Sequence, residues 1–298
     1  KSTFVSLFFV MWAVLTGRKH YILIIADALE QAASLLGAVK DELEFNEALK
    51  RDFPGAGKGH VWNVGTVVTP GNVKIQALGA GKRMRGLRHG PHRPDLIVLD
   101  DLENDGNVDK PEQRDKLQSW LQKTVLNLGA ADGSMDVVYV GTLLHYDSVL
   151  ARTLRKPLWK ARTFRSILRW PDRMDLWDEW ESLLSSRGEA EARRFYRQHR
   201  VKMEAGAEVS WPASRPLYRL MCLRAEDREA FDSEQQNDPL STNEAPFNGC
   251  ITFWVDRSRD WLLFGAVDPS LGKQGAGRDP SAILVGGFLR GSMTLDVV

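Results

Sequence analysis

The chain has few cysteines and almost no excess of charge. Only Cys222 and Cys250 occur among its 298 residues, and neither lies in a CxxC or Cys/His spacing. This argues against a disulfide framework or a structural zinc site and predicts a reducing, intracellular setting. Forty lysines and arginines against 39 acids give a formal charge of +1. A polyanionic partner therefore has to be held by local basic patches rather than by the overall charge.

The chain also lacks a long apolar run near its start. The run from Phe4 to Leu15 is interrupted by Ser6, whereas a membrane span needs about 20 apolar residues. The opening has a basic residue before an apolar stretch, as signal peptides do, but no cleavage pattern follows it. We therefore expect a helix from Thr3 to Leu15, buried against a sheet, ended by Gly17 and not inserted in a membrane.

Patterns of buried strands alternate with helical patterns over the first 150 residues. Continuous apolar strands are predicted at 21–27, 95–100 and 136–142. Helical periodicity extends over 28–53 and over about 111–128. This alternation predicts an open α/β domain with a parallel sheet over residues 1–150.

The composition changes after residue 150. Residues up to about Lys202 combine tryptophan and arginine on helical patterns, and a turn-rich segment with one helix follows. The last 38 residues contain three β runs separated by glycine turns, which indicates the start of a second, β-based domain. Four arginines either contact DNA phosphates or form a solvated helix face, and interleaved glutamates favour the solvated face. These arginines are Arg193, Arg194, Arg197 and Arg200.

The first three residues, Lys-Ser-Thr, stand directly before the predicted first helix. A phosphate-binding loop ends in this way. In such a loop, Lys1 would reach the β- and γ-phosphates, and the Ser2 hydroxyl would bind Mg²⁺ beside backbone N–H groups of the helix N-terminus. A tripeptide of this kind also occurs by chance, so it carries weight only together with other elements.

The stretch LIVLDDLEND leads a predicted buried strand into two aspartates. Asp100 at the strand end would hold the Mg²⁺ of a bound nucleotide, and Asp101 would polarise the attacking water. The alternative is that both residues only cap the next helix. We favour the catalytic interpretation, since a cap requires neither a buried strand before it nor a second acid. Glu103 and Asp105 are expected to belong to the cap and the loop.

Two further polar features flank the acidic strand. The strand VVYVGT ends in Gly141-Thr142, which would place a hydroxyl near the γ-phosphate, or it is a plain Gly-Thr turn. Arg85 and Arg88 precede the acidic strand on a glycine-rich loop. An arginine there either stabilises charge in the transition state of phosphoryl transfer or contacts DNA phosphates. The sequence leaves both alternatives open and assigns no role to His145.

The order of five segments resembles the large terminase subunit of tailed bacteriophages and prophages, over nearly the whole chain. The segments are KST, MRGLRHGPHRPDLIVLDDLEND, VYVGTLLHYDSVL, FDSEQQNDP and FGAVDPSLGKQGAGRDPSAILVGG. The resemblance implies a P-loop ATPase core of the RecA-like (ASCE) type over 1–150 and a helical lid and linker over 151–260. It implies the beginning of an RNase H-like nuclease domain over 261–298, with the chain truncated at both ends.

The resemblance also implies roles in the ATPase. Lys1, Ser2 and Thr3 match the end of the nucleotide loop, with Ser2 on the metal. Asp100 matches the magnesium-binding acid, Asp101 the catalytic acid, Thr142 the coupling residue and Arg85 the arginine finger, with Arg88 as the alternative. The family usually has glutamate where Asp101 stands. Aspartate is one methylene shorter, so its hold on the water is expected to be weaker or relayed.

In the nuclease, Asp268 of FGAVDPS resembles the first metal-binding carboxylate, and Asp279 of GRDPSA matches a nearby acid. Without the resemblance, Asp268 reads equally well as a turn-forming Asp-Pro. Asp296 is either a further ligand or a residue at a strand end. Cleavage by two metal ions about 4 Å apart needs several carboxylates. The others are expected beyond Val298, so the chain as given is not expected to cut DNA.

The implied function is ATP-driven translocation of viral double-stranded DNA into the procapsid, coupled to endonucleolytic cleavage of concatemeric DNA. The implied cofactors are ATP with Mg²⁺ for the ATPase and Mg²⁺ or Mn²⁺ for the nuclease. The implied partners are the DNA, the portal protein, the small terminase subunit and further copies of the chain in a ring, in the cytoplasm of a bacterial host. Two alternatives stay open: a helicase-like nucleic-acid-dependent ATPase, and a non-catalytic DNA- or portal-binding prophage remnant.

Overall fold

The computed structural model describes residues 1–82, 84–239, 262–268, 282–289 and 292–297. The chain divides into two compact units. The larger unit consists of Lys1–Asp109 and Gln113–Leu240, and the smaller one of Lys110–Glu112 and Ser241–Val298. In the described part of the chain, no helix has both the length and the apolar character needed to cross a membrane.

A six-stranded sheet lies at the centre of the larger unit, with strand order β2-β3-β4-β1-β5-β6. The strands are β1 (Tyr21–Ala26), β2 (Val61–Trp62), β3 (Thr66–Val68), β4 (Lys74–Gly79), β5 (Leu96–Asp100) and β6 (Asp136–Val140). β4, β1, β5 and β6 are parallel, and β3 and β2 join antiparallel at one edge. The predicted α/β class and the predicted strands at 21–27, 95–100 and 136–142 are confirmed.

The middle strands β1 and β5 are buried at every position, because parallel strands covered by helices on both faces are apolar throughout. β6 differs. It lies at the edge of the sheet, and four of its five residues are only half buried. The expectation that it is a buried strand was wrong, since its apolar sequence does not reveal which strands flank it.

The first helix is confirmed but begins irregularly. A π-helical segment spans Thr3–Phe9 and continues as α1 (Val10–Leu15). One side packs on the sheet through Val10, Met11, Ala13 and Val14. Phe4, Phe8 and Trp12 lie exposed on the other side, so the helix is not buried all round as predicted.

The helical pattern over 28–53 forms two helices rather than the single one predicted. They are α2 (Leu29–Phe45) and α3 (Glu47–Asp52). Asn46 takes an extended backbone conformation, and its side chain accepts a hydrogen bond from the Leu49 N–H at 3.1 Å. This N-cap satisfies a free donor of α3, which explains why the chain breaks there.

β1 presents alternate side chains to two cores. Ile22, Ile24 and Ala26 pack against α1 and α2, whereas Tyr21, Leu23 and Ile25 pack on the opposite face of the sheet. The second core is covered by residues from the predicted stretch 111–128. That stretch forms α5 (Pro111–Lys123) and a 3₁₀ turn (Val125–Asn127), preceded by the short α4 (Asp105–Val108).

A helical region, residues 149–238, completes the larger unit and has a core of its own. Its elements are α6 (Val149–Leu154), β7 (Ile167–Arg169), α7 (Met174–Arg187), α8 (Glu189–Glu204), β8 (Glu208–Val209), α9 (Leu217–Glu226) and α10 (Arg228–Glu234). From β7 onward these elements share a core built around Trp177, Trp180 and Leu220, whereas Val149 of α6 belongs to the second core of the sheet. The prediction of one helix in the connecting segment was wrong, because Asp227 leaves α9 and caps α10 by accepting from the Ala230 N–H.

Three of the four arginines singled out on α8 are paired within their own helix, whereas Arg197 is exposed and forms no ion pair with a described residue. Arg193 lies 3.9 Å from Glu189, Arg194 lies 2.6 Å from Glu191 and Arg200 lies 3.1 Å from Glu204. These are pairs at i,i+3 and i,i+4 on an exposed surface, which contribute little to stability but neutralise the face. Their placement supports the solvated helix face over a surface for DNA phosphates.

The smaller unit contains a three-stranded antiparallel sheet of order β11-β10-β9. Its strands are β9 (Leu262–Asp268), β10 (Ala282–Leu289) and β11 (Ser292–Val297), so the three predicted β runs are confirmed. Asp268 is the last residue of β9 and pairs with Ala282 of β10. Asp279 lies outside the described residues.

Candidate functional site

The carboxyl ends of β1, β5 and β6 meet at one edge of the sheet. Because the strands are parallel, the residues that follow them lie side by side. Those residues are Asp27 after β1, Asp100 and Asp101 at the end of β5, and Gly141 and Thr142 after β6. Ligands of open α/β sheets bind at this edge.

Asp100 is a buried carboxylate that is held by two hydroxyl groups. Its side chain is 1% exposed, and the Ser2 hydroxyl donates to its Oδ1 at 2.9 Å. The Ser6 hydroxyl donates to the other oxygen. Ser2 and Ser6 are four positions apart and therefore lie on the same side of the first helix. Buried carboxylates need such partners, since an unpaired buried charge is costly.

Lys1 lies between the ends of β5 and β6. Its Nζ donates to Thr142 Oγ1 and lies 3.5 Å from Asp101 Oδ1. Residues 1 and 142, which the sequence predicted to share a phosphate site, are thus in direct contact. Thr3 is exposed, and its side chain makes no hydrogen bond with any described residue.

Asp101 has an unusual backbone conformation. Its φ is +44°, in the left-handed region that only a few non-glycine residues adopt. Two backbone hydrogen bonds hold it there: its N–H donates to the Val140 carbonyl at 3.0 Å, and its carbonyl accepts from the Asp27 N–H at 3.2 Å. This conformation costs about 1 kcal/mol or more, and the neighbouring strands β6 and β1 fix it from both sides.

Gly141 allows close approach next to Asp101. A Cβ atom at this position would lie 3.0 Å from Leu150 Cδ2 and 3.6 Å from Asp101 Oδ1. The first distance is shorter than most real contacts of a Cβ atom, so the Leu150 side chain would have to move by a few tenths of an ångström for a larger residue. The glycine of the Gly-Thr pair therefore has a steric role between the acidic loop and α6.

Glu103 ties the acidic loop to the helical region. Its carboxylate accepts from the N–H groups of Val149 at 2.7 Å and Leu150 at 3.0 Å, at the start of α6. It also accepts from the Tyr139 hydroxyl at 3.3 Å. Burial and this carboxylate hold the pKa of Tyr139 well above its usual range.

The predicted assignment of Glu103 to the next cap was therefore wrong. The side chain caps α6, which starts 46 positions further along the chain. Asn104 caps α4 instead, and Asp105 lies in the first turn of that helix, near the cap as predicted. Asn104 and Asn107 also donate to the Asp27 carboxylate, which anchors the acidic loop to the end of β1.

The structure does not bring the loop arginines into this cluster. Arg85 and Arg88 are exposed, and neither forms a hydrogen bond or an ion pair with a described residue. A different arginine, Arg114, is buried in this part of the larger unit. It donates to the Val108 carbonyl at 2.6 Å and to Asp147 at 3.2 Å, so it serves the packing of α4 against the loop before α6. Burial and this guanidinium lower the pKa of His145.

The residues present fit a magnesium ion that is shared with phosphates. Mg²⁺ usually keeps several waters and binds one or two carboxylates together with substrate phosphates. Ser2 and Asp100 offer a hydroxyl and a carboxylate in contact at the helix start. Among the described residues no group of three or more histidines, cysteines and acids is placed to hold a metal by itself. Ser2 and Asp100 are therefore residues of this cluster that could hold a magnesium ion.

Ser6 offers a test of how Asp100 is stabilised. We expect Ser6→Ala to lower the free energy of unfolding by about 1–3 kcal/mol, because a buried carboxylate loses one of its two donors. Urea denaturation measures the change. Ser185→Ala is the matched control, since among the described residues that exposed hydroxyl bonds only to the Glu181 carbonyl of its own helix. Equal stability of the two variants would show that Asp100 does not need Ser6.

Sequence reasoning found most of this cluster but missed Ser6 and Glu103. For Ser6, the available signal was its position four residues after Ser2. Nothing in the sequence indicated that Glu103 would contact α6. In comparisons with known proteins, no family model matches the chain and no curated protein matches its sequence. The function therefore has to be inferred from the cluster itself and from the order of the motifs.

Proposed function

We propose that the chain is part of a DNA-packaging motor of the large-terminase type, which hydrolyses ATP with Mg²⁺ to move double-stranded DNA. The observation that carries the proposal is the contact of Ser2 with Asp100 beside that of Lys1 with Thr142. A helix start with Lys-Ser, a strand ending in acids and a strand ending in Gly-Thr are three distant parts of the chain. Phosphoryl transfer needs this combination at one place.

Each residue has a distinct task in the proposed reaction. The Lys1 ammonium binds the terminal phosphates. Ser2 and Asp100 hold the Mg²⁺, which when bound neutralises phosphate charge. Asp101, whose side chain is 36% exposed, orients the attacking water and accepts its proton. Since Lys1 also lies 3.5 Å from Asp101, a phosphate that draws the ammonium away leaves the Asp101 carboxylate available to the water.

We propose that two connections transmit conformational change from the site to the rest of the larger unit. Thr142, at the end of β6, contacts Lys1 and therefore responds to what the ammonium binds. Glu103, two residues after Asp101, holds the start of α6, and α6 is the first element of the helical region. A shift of the acidic loop is thus transmitted to that region by hydrogen bonds rather than by a flexible linker. This supports a motor over a static binding protein.

The nuclease part of the proposal rests on the smaller unit. Asp268 ends a strand of an antiparallel three-stranded sheet, as the first metal-binding acid of an RNase H-like domain would. We propose Asp268 and Asp279 as ligands of Mg²⁺ or Mn²⁺ there. Together with the ATPase cluster, this favours the terminase over a helicase-like ATPase. The portal protein, the small subunit and a ring of copies, in a bacterial host cytoplasm, are proposed partners and setting.

The proposed hydrolysis is tested through Lys1. We expect the chain to hydrolyse ATP in the presence of Mg²⁺, and Lys1→Met to lower the rate about 10-fold to 100-fold, because a hydrogen bond between charged groups is lost. Phosphate release is the measurement, with a thermal melt to show folding. Lys58→Met removes an exposed lysine that forms no hydrogen bond or ion pair with a described residue. Equal rates for both variants, or no hydrolysis by the unmodified chain, would overturn the proposal.

A further inference from the structure

Asp27 follows β1 directly, at the edge of the sheet where β5 also ends. Its side chain is half-buried, and among the described residues it forms hydrogen bonds with Asn104 and Asn107 alone. The tasks proposed for Lys1 and Asp101 leave this carboxylate without a role. Its two partners show what it does in the folded protein.

Asn104 and Asn107 form a reciprocal cap at the start of α4. Asn104 Oδ1 accepts from the Asn107 N–H at 2.9 Å, and Asn107 Oδ1 accepts from the Asn104 N–H at 3.1 Å. Because both amide oxygens accept from the backbone, both amide nitrogens have to donate elsewhere. Each donates to a different oxygen of Asp27, Asn107 at 3.2 Å. The cap therefore fits a carboxylate, which has two acceptor oxygens, and does not fit an amide, which has one.

The backbone of Asp27 holds the other end of the same loop. Its N–H donates to the Asp101 carbonyl at 3.2 Å, at the residue whose φ of +44° is unfavourable for a side chain. Asp27 thus bonds to both ends of the segment 101–107. The backbone conformation of Asp101 decides where its carboxylate points, and a misplacement of about 1 Å in a catalytic group can cost about 100-fold in rate.

We propose that Asp27 is a positioning residue, which sets the orientation of Asp101 by clamping the segment 101–107 to the end of β1. Its effect on rate rests on the proposed hydrolysis, whereas the clamp itself can be measured without nucleotide. In this role Asp27 accepts no proton and serves as a pair of hydrogen-bond acceptors. The same contacts with reversed polarity are therefore expected to work equally well.

A polarity swap in the full chain tests the proposal. Asp27→Asn places an amide against two amide donors, so one hydrogen bond is lost. We expect it to lower single-turnover ATP hydrolysis about 10-fold to 100-fold and to change ATP affinity less than about threefold. Hydrogen-exchange protection of the Asp101 amide should fall about 10-fold. The double variant Asp27→Asn with Asn104→Asp restores a donor–acceptor pair and should recover both rate and protection, since aspartate also caps helices.

Two single variants complete the comparison. Asn104→Asp alone keeps the cap of α4 but sets a second carboxylate against Asp27, so it should show the same losses as Asp27→Asn. The test therefore does not depend on the folding of one variant, which urea denaturation checks. Asp41→Asn on α2 removes the same charge from an exposed acid that forms no hydrogen bond or ion pair with a described residue. It should change neither rate nor protection.

The outcomes separate this inference from the proposed function. If Asp27→Asn slows hydrolysis while protection of the Asp101 amide is unchanged, Asp27 acts on the substrate directly and the positioning role is overturned. The role is also overturned if the double variant stays as slow and as unprotected as Asp27→Asn, or if Asp27→Asn behaves like Asp41→Asn. Loss and recovery of protection in a chain that hydrolyses no ATP would confirm the clamp and overturn the proposed function. Recovery of both quantities without a carboxylate at position 27 supports the proposal.

Discussion

Asp101→Asn is expected to lower the rate of ATP hydrolysis by about 100-fold to 10,000-fold while ATP still binds. The amide keeps the size and shape of the side chain but cannot accept a proton from the attacking water. Asp101 lies 3.5 Å from Lys1, and its side chain forms no hydrogen bond with the Ser2 and Ser6 hydroxyls that hold Asp100. The change should therefore affect the chemical step more than the assembly of the site. Single-turnover hydrolysis and ATP affinity, measured separately, check this.

Two further variants make the result interpretable. Asp101→Gly also removes the carboxylate but relieves the positive φ of +44°, so it should be inactive and at least as stable as the parent. Asp105→Asn removes an exposed acid of the same segment, at the start of α4, and should hydrolyse ATP normally. Full activity in Asp101→Asn would show that another group accepts the proton. Activity lost equally in Asp105→Asn would point to the net charge of the loop.

The positive φ of Asp101 distinguishes this residue from Asp100, its neighbour in the stretch LIVLDDLEND. Asp100 continues the strand and turns its carboxylate into the protein, whereas Asp101 leaves the strand in a conformation that hydrogen bonds to β6 and β1 enforce. Adjacent identical residues thus have different environments, one 1% exposed and the other 36% exposed in its side chain. This difference in burial supports the separate tasks that we propose for the two acids.

The sequence was a good guide wherever local periodicity decides structure. Continuous apolar runs identified β1, β5 and β6, and the rule that parallel strands end at one edge placed Asp100 near Thr142. The sequence was a poor guide where residues distant in the chain determine the structure. The half-buried state of β6 depends on what lies beside it, and the contact of Glu103 with α6 spans 46 residues. Breaks at Asn46 and Asp227 depend on single capping hydrogen bonds that compete closely with a continuous helix.

The site is also connected to the helical region, which is stabilised mainly by contacts within itself. The helical region has a core separate from the two cores of the sheet. Trp177 and Trp180 stack edge to face with ring centroids 5.5 Å apart, and both are almost fully buried. The loss of this core should therefore destabilise the helical region without removing Lys1, Ser2 or Asp100 from their places.

Trp177→Ala is accordingly expected to have the largest effect on stability, about 3–5 kcal/mol. The indole is fully buried, and its Nε1 donates to the Met203 carbonyl at 2.8 Å. The variant therefore creates a cavity and leaves a buried carbonyl without its donor. Urea denaturation followed by tryptophan fluorescence and by far-ultraviolet circular dichroism measures it. Trp211→Ala, which removes a 65% exposed indole, should change stability by less than about 1 kcal/mol.

The number of unfolding transitions tells more about the protein than the total change in the free energy of unfolding. Because the helical region has its own core, we expect Trp177→Ala to unfold in two steps, with the helical region melting before the sheet. Leu23, inside β1 and fully buried, should keep its hydrogen-exchange protection through the first step. A single transition in which β1 and α7 lose protection together would show that the two parts fold as one unit. In that case a helical region that moves against the sheet during hydrolysis would have to move as a rigid body without local unfolding.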